Sequence, residues 1–249
     1  EISMSRLDCP LELPGDYRVA DLLTFHRRDV HALAEQVLVD GLDKGVLWQG
    51  LPACLSLRFE VDRVSARLVV DGPVAEDAGQ LRALVHMLGL TQPVSEFEAA
   101  YAGHPLLGAL IAATPGLRVP QSPSPFEALS WAISGQQISL PVAISLRRKL
   151  IQLAGIRHSS GLFCYPDAAA VAALDGKALG QAGFSRAKTQ CLLLLAREVA
   201  AGRLPLVDWM EGESAVAIGE RLLALKGIGP WTVDYALLRG FARLDGSLH

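Results

Sequence analysis

The stretch Leu222-Leu223-Ala224-Leu225-Lys226-Gly227-Ile228-Gly229-Pro230-Trp231-Thr232 decides the reading of this 249-residue chain. An apolar helical end runs into a Gly-x-Gly turn and leaves at once into a second helix, whose first position suits Pro230. The two glycines let the backbone turn tightly with no Cβ in the way. Unpaired N–H groups at the new helix start, aided by the helix macrodipole, then form an anion site that needs no basic side chain. The tripeptide alone is equally an ordinary helix-ending glycine followed by another helix.

The flanks narrow this reading. Trp231 and Tyr235 stand four apart and share one face of the outgoing helix, so together they can stack on a base. As an isolated pair they would equally suit a helical core. Upstream, Trp131-Ala132-Ile133-Ser134-Gly135-Gln136-Gln137-Ile138-Ser139 breaks a helix with a glycine and two amides. Gly183-Phe184-Ser185-Arg186-Ala187-Lys188-Thr189 reads as a capped helix start carrying basic residues, with Arg186 and Lys188 candidates for phosphate contacts.

Periodicity divides the rest. Apolar positions at helical spacing from Val19 to Val39 predict a helix there. Val46–Trp48, Ala53–Val61 and Ala66–Val70 read as strands, the second alternating Leu55, Leu57, Phe59 and Val61. Helical spacing follows at 78–89 and 106–113. Gly116–Pro125 is a linker by its prolines, and 126–134, 140–154, 168–174, 187–201, 214–225 and 230–241 form a helical array. The expected fold class is α+β, an N-terminal α/β domain (antiparallel sheet with helices) over residues 1–92, followed by an all-α region over 93–249.

Composition excludes several classes. Hydrophobic residues make up 51% of the chain, enough for substantial cores. A net charge of −3 argues against coating nucleic acid through bulk electrostatics, so any binding must rest on local features. Cys9, Cys54, Cys164 and Cys191 are scattered, as expected of reduced thiols, and form no iron–sulfur spacing. The six histidines show no metal-ligand spacing, and no apolar run approaches membrane-span length. The expectation is a cytoplasmic monomer with no membrane partner. Glu1-Ile2-Ser3-Met4 reads as residues placed ahead of a native start.

Taken together, Leu222–Gly240 and Trp131–Ser139 resemble the AlkA type of 3-methyladenine DNA glycosylase II, a family of the helix-hairpin-helix DNA glycosylases. The resemblance implies a helical helix-hairpin-helix glycosylase body and double-stranded DNA carrying alkylated bases as partner. It implies a pocket walled by Trp231, Tyr235 and Phe25, the last of which alone would pass for core. Gln136, Gln137, Gly227, Gly229, Thr232 and Lys226 are the implied DNA contacts. Gln137 stands where the family often has Leu, so it would fill the gap left by a flipped nucleotide with an amide rather than an apolar wedge. The backbone carbonyls of Leu223, Leu225 and Ile228 are an implied site for a monovalent cation, with no other cofactor required.

A Lys at the first position after Gly-x-Gly-x would permit Schiff-base chemistry. That position is Trp231, which points to a monofunctional glycosylase acting on alkylated, already cationic purines. Aromatic faces favour such cations. The family's catalytic Asp, carried over by spacing, falls two residues beyond His249; Asp245 comes six residues too early and reads as a turn, and Asp234 faces about 100° from Tyr235. The alternative is a noncatalytic DNA-damage-binding module on the same fold.

Overall fold

The computed structural model describes residues 4–75, 81 and 84–244. Its first part is a five-stranded, wholly antiparallel sheet of β1 (Ser5–Glu12), β2 (Glu35–Val37), β3 (Gly41–Trp48), β4 (Leu51–Phe59) and β5 (Arg63–Val70), in the order β1-β5-β4-β3-β2. The alternation in β4 and β5 does what the period predicts. Leu55, Leu57, Val64, Ala66, Leu68 and Val70 turn inward with Leu42 and pack beneath α1 (Val19–His26) and the 3-10 turn Val85–Leu88. The predicted helix at 78–89 lies partly outside the described residues.

Helices follow: α2 (Val94–Tyr101), α3 (Leu107–Ala113), α4 (Pro125–Gly135), α5 (Leu140–Ala154), α6 (Ala168–Ala172), α7 (Gly176–Gln181), α8 (Arg186–Ala200), α9 (Trp209–Gly212), α10 (Ala215–Leu223) and α11 (Pro230–Arg239). Their starts are written in the sequence. The hydroxyls of Ser124, Ser185 and Ser214 accept from the amides of Glu127, Lys188 and Ala217, and Asp167 and Asp175 do the same for α6 and α7. A second core gathers Leu129, Ile133, Leu150, Leu192, Leu195 and Ile218 around α4 and α8. The architecture is α+β.

The helix expected over residues 19–39 ends at His26. Arg27 closes it, the Asp29 carboxylate accepts from the His31 amide, and Ala32 takes a left-handed φ of 47°. The chain then enters β2 beside β3. Val30, which completed the helical spacing, is 87% exposed, so the period had counted an apolar residue that packs against nothing. Strand β1 and helix α2 were not anticipated. β1 is an edge strand in which Leu7, Cys9 and Leu11 alternate with exposed Arg6, Asp8 and Pro10.

Where the sheet meets the helices, four charges are buried together. Lys44 of β3 is fully buried and its ammonium donates to Glu35 of β2 and, at 2.9 Å, to Glu127 of α4. Arg147 of α5 reaches both carboxylates at 3.2 Å and lies over the Tyr165 ring. His26 of α1 stands 3.3 Å from Glu35. Two cations beside two carboxylates leave no uncompensated charge, which is what makes their burial tolerable.

Candidate nucleic-acid interface

The Gly-x-Gly turn folds as its composition demands. Leu222 and Ile228 are buried and anchor its two sides, while Ile228 N–H donates to the Leu225 carbonyl at 3.1 Å and closes the hairpin. Gly227 adopts φ +96°, and a Cβ there would meet Cys191 Cβ at 2.9 Å, so both backbone and space require glycine. Gly229 is the N-cap of α11 with no side-chain cap, and Pro230 follows at N1. Among the described residues, the amides of Gly227, Gly229 and Trp231 donate to no acceptor. Gly227 and Lys226 are exposed, so this face of the turn offers free donors and one cation.

A second loop is clamped onto the turn. The Gln136 amide, just past α4, donates at 3.0 Å to both the Gly227 carbonyl and the Thr232 hydroxyl. Thr232 is buried beneath the hairpin, its hydroxyl occupied by this bond. Gln137 is left exposed at the loop tip with a left-handed φ of 55°. A non-glycine residue held in that region stores strain, a feature that concentrates at functional sites.

Lys188, read from sequence as a candidate for phosphate, turns inward instead. It is buried and its ammonium donates at 2.8 Å to the Ser134 carbonyl, capping the end of α4; burial lowers its pKa. Arg186 opens α8 behind the Ser185 cap. The carbonyl of Leu225 accepts from Ile228, whereas those of Leu223 and Ile228 accept no hydrogen bond among the described residues. Such free carbonyl oxygens fit the donor chemistry of a hard monovalent cation.

Beside the turn stands an aromatic cluster. Trp231 is 40% exposed and its ring lies 5.5 Å from that of Tyr235, which is buried behind it. Burial raises the Tyr235 pKa, keeping its hydroxyl protonated, and Arg28 and Trp131 are hydrogen-bonded to it. Phe25, on the last turn of α1, joins the cluster through two arginines: Arg28 lies 4.4 Å and Arg239 5.3 Å from its ring centre. Arg28 also lies 4.5 Å from the centre of the Trp131 ring.

The structure thus joins Trp231 to Tyr235, links Phe25 to them through Arg28 and Arg239, and ties Gln136 to the hairpin with Gln137 next to it. Sequence reasoning missed Arg28, Arg239 and the ring of Trp131 as members. The signal available was thin: Phe25-His26-Arg27-Arg28 looks like any basic helix end, and only the fold brings it to α4 and α11. Asp245 lies outside the described residues, and Asp234 is half-buried on α11.

The α+β architecture, a five-stranded antiparallel sheet with helices, matches that of solved DNA glycosylases. The 3-methyladenine DNA-glycosylase of Archaeoglobus fulgidus superposes with a TM-score of 0.78 at 23% identity, covering 96% of this chain and 81% of that one. The chain is related in sequence to DNA-3-methyladenine glycosylases of the AlkA type. It is 36% identical to DNA-3-methyladenine glycosylase 2 of Escherichia coli over 141 residues, 56% of this chain and 49% of that protein. The 3-methyladenine DNA glycosylase of Schizosaccharomyces pombe, solved with abasic DNA, gives a TM-score of 0.51 at 25% identity, over 59% of this chain and 71% of that one. The chain spans about half the length of the curated relatives it matches. No family model matches it.

Proposed function

We propose that this chain is the DNA-holding and base-holding part of a monofunctional DNA glycosylase that releases alkylated purines from duplex DNA. The observation that carries the reading is the Gln136 clamp. It sets the exposed Gln137, with its left-handed backbone, against a turn with free backbone donors, beside half-exposed Trp231 and the Tyr235 ring buried behind it. In this reading the helices from residue 93 onward are a helix-hairpin-helix body, and residues 1–92 form the domain that supplies Phe25.

Each part has one task. The free amides of Gly227, Gly229 and Trp231 hold a backbone phosphate without a basic patch, which suits a chain of net charge −3. Lys226 adds one exposed charge beside them. Gln137 enters the duplex where the nucleotide leaves and hydrogen-bonds the base left behind. The extruded base stacks on Trp231, with Tyr235 and Phe25 closing the pocket. Thr232 acts through Gln136, as the acceptor that holds the clamp.

The C1′–N bond then breaks with its electron pair leaving on the base, positive charge builds on the sugar ring, and water adds to C1′ with loss of a proton. A carboxylate near C1′ lowers the energy of that transition state, and in this reading it is supplied by an Asp expected two residues past His249. No lysine stands at position 231, so no Schiff base forms there and the strand stays intact. A monovalent cation at the Leu223 and Ile228 carbonyls would stiffen the turn, and no other cofactor is needed. The enzyme works as a monomer in the compartment that holds the chromosome; among the described residues no helix is long and apolar enough to cross a membrane.

The test is release of bases from methylated duplex DNA by protein extended through the segment after His249, with the expected Asp changed to Asn as control. Release abolished by the Asn variant is the expected result. No release by the extended protein would overturn the enzymatic reading, and tight binding to damaged DNA without release would point to a damage-binding module.

A further inference from the structure

The segment Gly183-Phe184-Ser185-Arg186-Ala187-Lys188-Thr189 turns its lysine away from solvent. Gly183 takes φ +107°, Phe184 is buried and the Ser185 hydroxyl caps α8, so the first turn of that helix is fixed against the core. Lys188 then spans to α4, where its ammonium donates at 2.8 Å to the Ser134 carbonyl. That carbonyl is one of the last four of α4, which have no partner inside the helix, and the negative end of the helix dipole lies there. Lys188 is only 8% exposed, yet among the described residues its ammonium has no carboxylate partner. Helix α4 ends at Gly135, and Gln136 and Gln137 follow at once.

A buried ammonium with one neutral acceptor is a costly way to finish a helix, because an open helix end is satisfied by water. What it supplies is position. Ser134 stands three residues before Gln137, so a bond that holds its carbonyl fixes the point from which the loop springs. Three residues along α8, and so on the same face, Cys191 lies where a Cβ at Gly227 would meet its own Cβ at 2.9 Å. One face of α8 therefore bears on both loops: Lys188 on the start of the Gln136-Gln137 loop, Cys191 on the glycine turn. We propose, resting on the reading of Gln137 as the group that enters the duplex, that Lys188 is a positioning residue. It touches no DNA, and by holding the end of α4 it sets the reach of Gln137 relative to the phosphate-binding turn.

The experiment measures binding, so it does not depend on the catalytic Asp. The probe is a duplex with a tetrahydrofuran abasic site opposite 2-aminopurine, whose fluorescence reports a group reaching the unpaired base; an undamaged duplex is the control. Wild type should change that fluorescence, and Gln137→Ala should abolish the change. Lys188→Met should also abolish it and weaken binding to the abasic duplex by on the order of 10-fold, the worth of one hydrogen bond to the unpaired base, while binding undamaged duplex as wild type does. Lys188→Gln, polar but too short to span to Ser134, should do the same and serves if the methionine variant folds poorly. Lys188→Arg keeps a cationic donor at the helix end and should restore the signal. In a Gln137→Ala background, Lys188→Met should cost nothing further. A wild-type signal in both Lys188→Met and Lys188→Gln would overturn the proposal, as would equal losses on both duplexes or a full further loss on top of Gln137→Ala. If Gln137→Ala itself changes neither signal nor affinity, the reading of Gln137 fails and this proposal with it, a result separate from a dispensable Lys188.

Discussion

The charged junction between sheet and helices and the aromatic site beside the hairpin use similar side chains to opposite ends. At the junction Arg147 lies over Tyr165 and, with Lys44, is matched by Glu35 and Glu127. At the aromatic site Arg28 and Arg239 lie over Phe25 and no carboxylate answers them among the described residues. A buried cation neutralised within the fold belongs to the structure. One stacked on rings with no matching carboxylate is held by the ring faces instead.

The sharpest way to break this comparison is to remove one cation from each region. Lys44→Met leaves two buried carboxylates to share Arg147 and should cost about 3–5 kcal/mol in urea denaturation at pH 7. Arg28→Met should cost about 1–2 kcal/mol, since partly exposed cation–π contacts and one hydrogen bond to Tyr235 are lost while no buried ion pair is broken. Equal losses would erase the distinction. Trp231→Ala should cost about 1–3 kcal/mol of affinity for a duplex with an extrahelical lesion, the worth of one base–aromatic stack, and leave affinity for undamaged duplex nearly unchanged.

Acid sharpens the comparison further. Burial lowers the His26 pKa beneath 6.5, so the unfolded chain takes up a proton that the folded chain refuses. Stability from this group is fully present above pH 6.5 and declines as pH falls toward the folded value. Glu35 and Glu127 are held below 4.5 by Arg147 and Lys44, so a second decline opens below that pH. Tm measured from pH 8 to 4 should show both. His26→Gln should remove the first, and a flat profile in wild type between pH 7 and 5 would contradict it. The smallest effect belongs to the loop tip: Gln137→Gly should raise stability by less than about 1 kcal/mol by relieving a left-handed residue, while weakening binding to lesion DNA.

What could be read from the residues followed how local their causes are. The hairpin was legible because Gly227, Gly229 and Pro230 answer to backbone rules, and α5 was legible because its apolar spacing runs from Leu140 to Ala154 with Arg147 the one charged residue on its buried face. The helix carried past His26 failed where spacing and packing part company, at exposed Val30. Lys188 misled because its charge suggested solvent while its length lets it cap Ser134. Arg28, Trp131 and the Gln136 clamp were out of reach. Each depends on residues some 90 to 100 positions away, and nothing in a basic pair or a glutamine pair announces a distant partner.

The four junction charges come from β2, β3, α4 and α5, and their shared burial exists only when all four elements are in place. A sheet that formed alone would hold Lys44 and Glu35 as one pair at an open surface. Helices that formed alone would do the same with Glu127 and Arg147. Pulling the two halves apart therefore rehydrates two cations and two anions in one act, with no half-way arrangement that is balanced and dry. The junction is a cooperative latch, and it makes the unfolding of sheet and helices a single event.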